Sequence, residues 1–182
     1  MDSTFTRIKV ALLSVFDTAG ILPFGLFLAE RGVTLIATGG TAAFLRSVGL
    51  TIKEVKEVTG FSPLFGGLVK TLHPTIFAGI LLDRDNPAYV LQAQELKIDP
   101  IDLVVVNLAP QEKMDIGGHA LIRAAYKNRR HVVILTHPSQ YQRVGEEMRQ
   151  RGDVSSLTQR ALAEEALKCV IAYDTKILKS VS

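Results

Sequence analysis

The sequence predicts an α/β fold of three layers, a mostly parallel sheet flanked by helices. Short uncharged runs rich in β-branched residues recur along the chain, the strongest being Leu103-Val104-Val105-Val106-Asn107-Leu108. Longer amphipathic stretches separate them, and several of these end at a glycine, such as Gly32 or Gly49. Strands that alternate with helices pair in parallel and bury both faces of their sheet.

Each element has its own local reason. Ile8 to Leu13 (IKVALL) is a buried strand by its apolar run. Ile21 to Arg31 is a helix with Leu22, Leu26 and Ala29 on one apolar face, and Pro23 fits only in its first turn. Thr34 to Ala37 is a strand, and Thr41 to Val48 a helix closed by Gly49. Phe77 to Leu82 is a third clear apolar run, and Pro87 to Leu96 a helix opened by proline. After the 103–108 strand, Asp115-Ile116-Gly117-Gly118 opens a helix, and Val132 to Leu135 is a further strand. Helices over Ser139 to Arg151 and Leu157 to Leu178 complete the chain, with Gly152 to Ser156 as a linker between them.

The 182 residues suit a single domain, with a core large enough to need no cross-links. The single cysteine, Cys169, excludes a disulfide framework and fits a reduced, cytoplasmic setting. No apolar run reaches the ~18 residues of a membrane span, and the N-terminus lacks the order of a signal peptide. The formal net charge of +3 is too small to argue for nucleic acid, and Trp is absent as a base-stacking platform. A small anionic ligand suits that charge.

In parallel sheets, ligands sit beyond the carboxyl ends of the strands. Ser14 follows the first strand, and Thr38-Gly39-Gly40-Thr41 follows the second and opens a helix. Two glycines and a helix N-terminus can cradle an anion, although a plain tight turn with a threonine cap reads the same way. Lys70-Thr71-Leu72-His73-Pro74 closes a turn-rich stretch in which Lys70 is either a surface cation or a carbonyl-polarising one. No second ligand sits at metal spacing from His73. Asp115 reads equally as a helix cap or as a proton carrier. Arg123 and Lys127 share a face of its helix, and Arg129, Arg130 and His131 form a solvated end. His119 and His137 have no visible partners.

Taken together, these segments resemble the inosine monophosphate cyclohydrolase domain of bifunctional purine biosynthesis proteins. The resemblance rests on Ala11-Leu12-Leu13-Ser14-Val15, Thr38 to Ala42, Val58-Thr59-Gly60-Phe61, Val69 to Pro74, Ala78-Gly79-Ile80-Leu81, Asp102 to Leu108, Asp115 to Gly118, Arg123 to Asn128 and Ala172-Tyr173-Asp174. It implies a methylglyoxal synthase-like fold and a reaction that closes the second ring of a purine ribonucleotide. In that reaction a carboxamide nitrogen attacks a formamide carbon and water is lost, without metal or redox cofactor. Carried over, Lys70 falls on the lysine at the oxyanion, Asp115 on the proton-handling aspartate, and Lys127 on a second lysine. Asn107 falls beside the base. Ser14, Thr38, Gly39, Gly40, Thr41 and Thr71 fall on phosphate-binding positions, and Ile116 and Gly117 join the substrate site.

The chain departs from the family pattern at three functional positions. Thr18 replaces a lysine of the first loop, Leu68 replaces an arginine, and Ala109 replaces a tyrosine that helps the chemistry. Only Gln111 to Met114 lie between Pro110 and Asp115, and the expectation is a single cyclohydrolase-like domain over residues 1–182 without the transformylase domain. Arg7, Lys9 and Arg46 are cations available to replace those lost. Two functional readings follow. One is a cyclohydrolase acting on a purine or purine-like ribonucleotide, in a specialised nucleoside-analogue pathway. The other is a non-catalytic module that binds or senses a phosphorylated metabolite. A homodimer is expected, and the stripe of Leu162, Ala166, Leu167 and Val170 either serves it or covers the sheet.

Overall fold

A computed structural model describes residues 5–180. The first strand pair is small: β1 (Phe5–Thr6) runs antiparallel to β7 (Val154–Ser155). The main sheet holds β2 (Val10–Val15), β3 (Thr34–Ala37), β4 (Lys53–Glu54), β5 (Leu103–Asn107) and β6 (Val133–Leu135). Its order is β4-β3-β2-β5-β6, and all its pairings are parallel.

Because side chains alternate along a strand, each strand feeds two cores. Ala11, Leu13, Leu35, Val105 and Leu135 point to one side. There they meet α1 (Ile21–Glu30), α2 (Gly39–Ser47) and α7 (Ser139–Arg151). Leu12, Ile36, Val104, Val106 and Ile134 point to the other. They are covered by α3 (Val55–Thr59), α4 (Pro74–Leu81), α6 (Ile116–Lys127) and α8 (Ser156–Ser180). Each fully buried leucine or isoleucine contributes about 1.5–3 kcal/mol. This is the three-layer arrangement expected. The remaining helix, α5 (Pro87–Glu95), buries none of its residues.

Three expectations change. Phe77 to Leu82 belongs to helix α4 and its end, because His73 caps it and Pro74 sits at its first position. The buried face of α1 is broader than expected and centred elsewhere: Ile21, Phe24, Phe27 and Leu28 are buried, Leu22 and Ala29 pack at its edge, and Leu26 is 41% exposed. Pro23 does lie in its first turn. The stretch 152–156 is more than a linker, since it supplies β7. Of the two readings of the α8 stripe the structure takes the covering one: Leu162, Ala166 and Val170 are buried in the protomer's own core, and Leu167 is half-buried. Among the described residues, no helix is long and apolar enough to cross a membrane.

The chain leaves central strand β2 toward β3 and β4, then returns to the other side of β2 as β5 and β6. The loops after β2 and β5 therefore diverge in opposite directions. That switch point is where open parallel sheets accept ligands, and Ser14, Thr38 to Thr41 and Asn107 lie at the strand ends there.

Candidate active site

Asn107, the last residue of β5, pairs in register with Val15 at the end of β2. Its carboxamide oxygen accepts from Phe16 N (2.6 Å) and Asp17 N (2.8 Å), and its amide nitrogen donates to Asp17 O (2.7 Å). The side chain thus clamps the loop after β2. Thr41 holds the same loop from the other side: its hydroxyl accepts from Val15 N (3.1 Å) and donates to Val15 O (3.2 Å). Beneath the loop, Tyr141 is buried and stacks on Phe24. Burial pushes its phenol up to about 12, against a smaller downward pull from a hydrogen bond with Asn107.

Thr38 occupies the cap position of α2, but its hydroxyl does not cap the helix and instead donates to Ser14 Oγ (3.4 Å). The N–H groups of Gly39, Gly40 and Thr41 have no acceptor among the described residues. Both glycines are exposed, with open space where a side chain would stand. Three free N–H groups at a helix N-terminus, with two hydroxyls beside them, form an anion cradle.

A second group of residues assembles across the switch point. Lys70 is half-buried, and its ammonium donates to Gly67 O (3.1 Å). Thr71 is buried with its hydroxyl against Gly117: a Cβ at Gly117 would lie 2.7 Å from Thr71 Oγ1. The Lys70-Thr71 turn is therefore packed on the N-terminus of α6. Asp115 caps that helix, with Oδ1 accepting from Gly118 N (2.7 Å) and Oδ2 from Ala109 N (3.1 Å). The cap reading of Asp115 holds. Each carboxylate oxygen still has a lone pair for a ligand. Ile116, next in the helix, is exposed.

Lys127 ends α6, twelve residues after Asp115. At 1.5 Å per residue that is about 18 Å. Both line one trough of about 910 Å³ across α6, at different ends, so the structure does not gather Lys127 with Lys70 and Asp115. Of the replaced positions, Thr18 and Leu68 are exposed, Leu68 at 79%, and Ala109 is half-buried beside Asp115. None of the three cations expected to compensate is available. Arg46 pairs with Glu54 and Glu57 and donates to Ile52 O. Arg7 and Lys9 precede β2, at the opposite end of the sheet.

Two contacts escaped the sequence reading. Lys113 places its ammonium over the Phe16 ring, 5.0 Å from the centroid, bringing a cation to the clamped loop. Tyr173, from α8, accepts from Asp115 N through its hydroxyl (2.8 Å). Neither spacing could reveal a contact made across the fold. His119 and His137 also gain partners, in Asp174 and Ser139. Among the described residues, one group could offer a metal three ligands, Asp83, Asp85 and His131, whose ligand atoms lie within 4.8 Å of one another. It stands apart from the switch point, where α4 ends and β6 begins.

Comparison with known proteins agrees with this geometry. Residues 20–136 match the MGS-like domain, and residues 124–182 match the AICARFT/IMPCHase bienzyme family. The bifunctional purine biosynthesis protein PurH of Persephonella marina is 40% identical over 93% of this chain. Its counterpart in Bacillus cereus is 41% identical, also over 93%. The chain spans 36% of the length of each, about a third of the curated relatives it matches. The crystal structure of ForH superposes with a TM-score of 0.87 at 31% identity, covering 97% of this chain and all of that one. A five-stranded parallel sheet between two helical layers, and a family match over most of its length, lead to one assignment: the chain belongs to the MGS-like domain family.

Proposed function

We propose that this protein is a cyclohydrolase that closes the pyrimidine ring of a purine or purine-like ribonucleotide from a formamido-carboxamide precursor. The observation that carries the reading is the packing of the Lys70-Thr71 turn on the Asp115-capped N-terminus of α6, across the switch point from the cradle at Gly39 to Thr41. The similarity to PurH over nearly the whole chain supports it.

In this reading the ribose phosphate sits on the N–H groups of Gly39, Gly40 and Thr41, with Ser14 and Thr38 as further donors. That fixes the base near the turn and lowers the entropic part of the barrier. The carboxamide nitrogen then attacks the formyl carbon. One N–C bond forms, and the carbonyl electrons move onto oxygen. The Lys70 ammonium stabilises that oxyanion. Asp115 takes a proton from the attacking nitrogen and returns it to the oxygen. A second proton, from the formamide nitrogen, lets the oxygen leave as water while the C=N bond forms. Lys127, at the far end of the α6 trough, acts on binding and not on the reacting atoms. No metal or redox cofactor is required. The expected assembly is a homodimer, with light scattering as its check.

The substrate differs from the ordinary purine intermediate, in keeping with a specialised nucleoside-analogue pathway. Leu68 stands exposed where the family carries arginine, and Lys113 is the cation at the clamped loop. Ordinary inosine monophosphate should bind poorly. Leu68→Arg should tighten it by about 1.5–3 kcal/mol, since a guanidinium gives a phosphate charge-assisted bonds that leucine cannot. Calorimetry on both proteins tests this, and unchanged or weakened binding in the variant contradicts it.

Turnover of formylated carboxamide ribonucleotides, followed by absorbance, is the decisive experiment. Lys70→Ala and Asp115→Ala should abolish it while the fold persists. A second reading, a binding module without turnover, draws on Ala109 and on the engagement of both Asp115 oxygens by backbone N–H groups. It predicts saturable nucleotide binding with no product.

A further inference from the structure

The opposite edge of the sheet holds a second cavity, of about 980 Å³. It lies where β2 and β5 begin, one full strand length away from Ser14 and Asn107. Six cations line it: Arg7, Lys9, Arg84, Arg129, Arg130 and Arg160. Against them stand three carboxylates, Asp85, Asp99 and Asp102. The surplus of three positive charges equals the formal net charge of the whole chain. Electrostatic attraction for an anion is thus concentrated at one mouth.

Pairing within the cavity leaves that surplus available. Asp102 is taken by Arg84 (2.8 Å), and Asp85 lies 3.9 Å from Arg130. Arg7, Lys9, Arg129 and Arg160 have no carboxylate partner among the described residues. A further observation points to a missing acceptor. Gln159 is only 4% exposed, and its oxygen accepts from Thr6 Oγ1 (3.0 Å), but its amide nitrogen has no partner. Arg84 Nε is likewise buried and unpaired. Buried donors in this state are uncommon and call for an explanation. The N-terminus of α8 opens on the cavity at Ser156, with no acidic residue in its first turn, and adds its dipole. At the rim, Phe5 offers a 40% exposed ring from β1.

We propose that this cavity binds a small polyanion of the nucleoside polyphosphate class, at a site distinct from the candidate active site. The phosphates lie among Arg7, Lys9, Arg129 and Arg160, and Gln159 and the start of α8 supply neutral donors. Phe5 stacks on the base. Two anion sites on opposite edges of one sheet give the protein a means of responding to a nucleotide other than its substrate.

The test is calorimetric titration of the full chain with ATP, tripolyphosphate and adenosine at low ionic strength. ATP and tripolyphosphate should each bind at one site, ATP at least threefold tighter, while adenosine does not bind. The double variant Arg7→Gln/Arg160→Gln changes only exposed side chains and should weaken ATP at least tenfold. Gln159→Leu should weaken it severalfold. Gly40→Asp, which puts a carboxylate in the cradle on α2, should leave ATP binding unchanged. Circular dichroism melts establish that each variant is folded. No saturable binding to the wild type overturns the proposal. Loss in Gly40→Asp with retention in the double variant also overturns it, since the anion then occupies the cradle. Equal affinity for ATP and tripolyphosphate overturns the nucleoside assignment.

Discussion

At the head of α6 two adjacent glycines stand where any side chain would collide. A Cβ on Gly117 would press on Thr71 Oγ1, and one on Gly118 would meet Asp115 Oδ2, each at 2.7 Å. Gly117→Ala and Gly118→Ala should therefore each cost about 1–3 kcal/mol, the usual penalty for forcing atoms into a packed site. Gly39→Ala, facing open space, should change stability by no more than about 0.5 kcal/mol. Urea denaturation midpoints of the three variants decide this, and equal losses at all three positions would contradict the geometry. Tyr141 gives a residue-scale test with pH. Its phenol is held up to about 12, against 10.0 for an ordinary tyrosine. The folded protein keeps this proton while the unfolded chain releases it. The resulting stabilisation is complete below about pH 10 and is lost as pH rises toward 12. Tyr141→Phe should remove that part of the alkaline decline, as measured by denaturation at pH 9 to 12.

The loop between β2 and α1 depends on Asn107 more than on its own sequence. Asn107→Ala removes three hydrogen bonds and leaves Phe16 N and Asp17 N without their side-chain acceptor. At about 0.5–1.5 kcal/mol per bond, a loss of about 2–3 kcal/mol is expected. Amide exchange should speed up at Phe16 and Asp17 more than in α4. The contrast between elements shows what the sequence can carry. Strands β2, β3, β5 and β6 are legible because short, continuous apolar runs rich in β-branched residues admit little else. The run through Phe77 to Leu82 is ambiguous by periodicity alone. What decides for helix is the His73-Pro74 start and burial against α6 and Ile101. The centre of the α1 face is not legible because nearly every residue of ILPFGLFL is apolar, so no stripe stands out. At the site, positions at strand ends could be read, but partnerships could not. Tyr173 reaches Asp115 from 58 residues away, and no local spacing encodes that. Lys127 and Asp115 belong to one helix in sequence, yet its length separates them.

The two edges of the sheet divide the work of the whole molecule, and the edge opposite the switch point holds the sheet together. There the side chain of Asp102 accepts from Lys9 N (2.7 Å) and Val10 N (2.8 Å) and pairs with Arg84. Its main chain donates to Val10 O and accepts from Val133 N. One buried residue therefore joins the starts of β2, β5 and β6 to the connection after α4. Removing its carboxylate leaves two strand N–H groups and a largely buried guanidinium without their acceptor. Breaking a buried pair by deleting one partner costs about 3–5 kcal/mol. In a chain of this size each kcal/mol lowers the melting temperature by about 2–4 °C. Asp102→Ala should therefore melt about 6–20 °C below the wild type. Because the network spans three strands, far-UV and near-UV signals should fall together in one transition. Asp102→Asn keeps an oxygen for the strand N–H groups and should lose less than half as much. A shift of under 3 °C in Asp102→Ala, or a near-UV signal that melts ahead of the far-UV signal, would show that the strands are held by their packing alone.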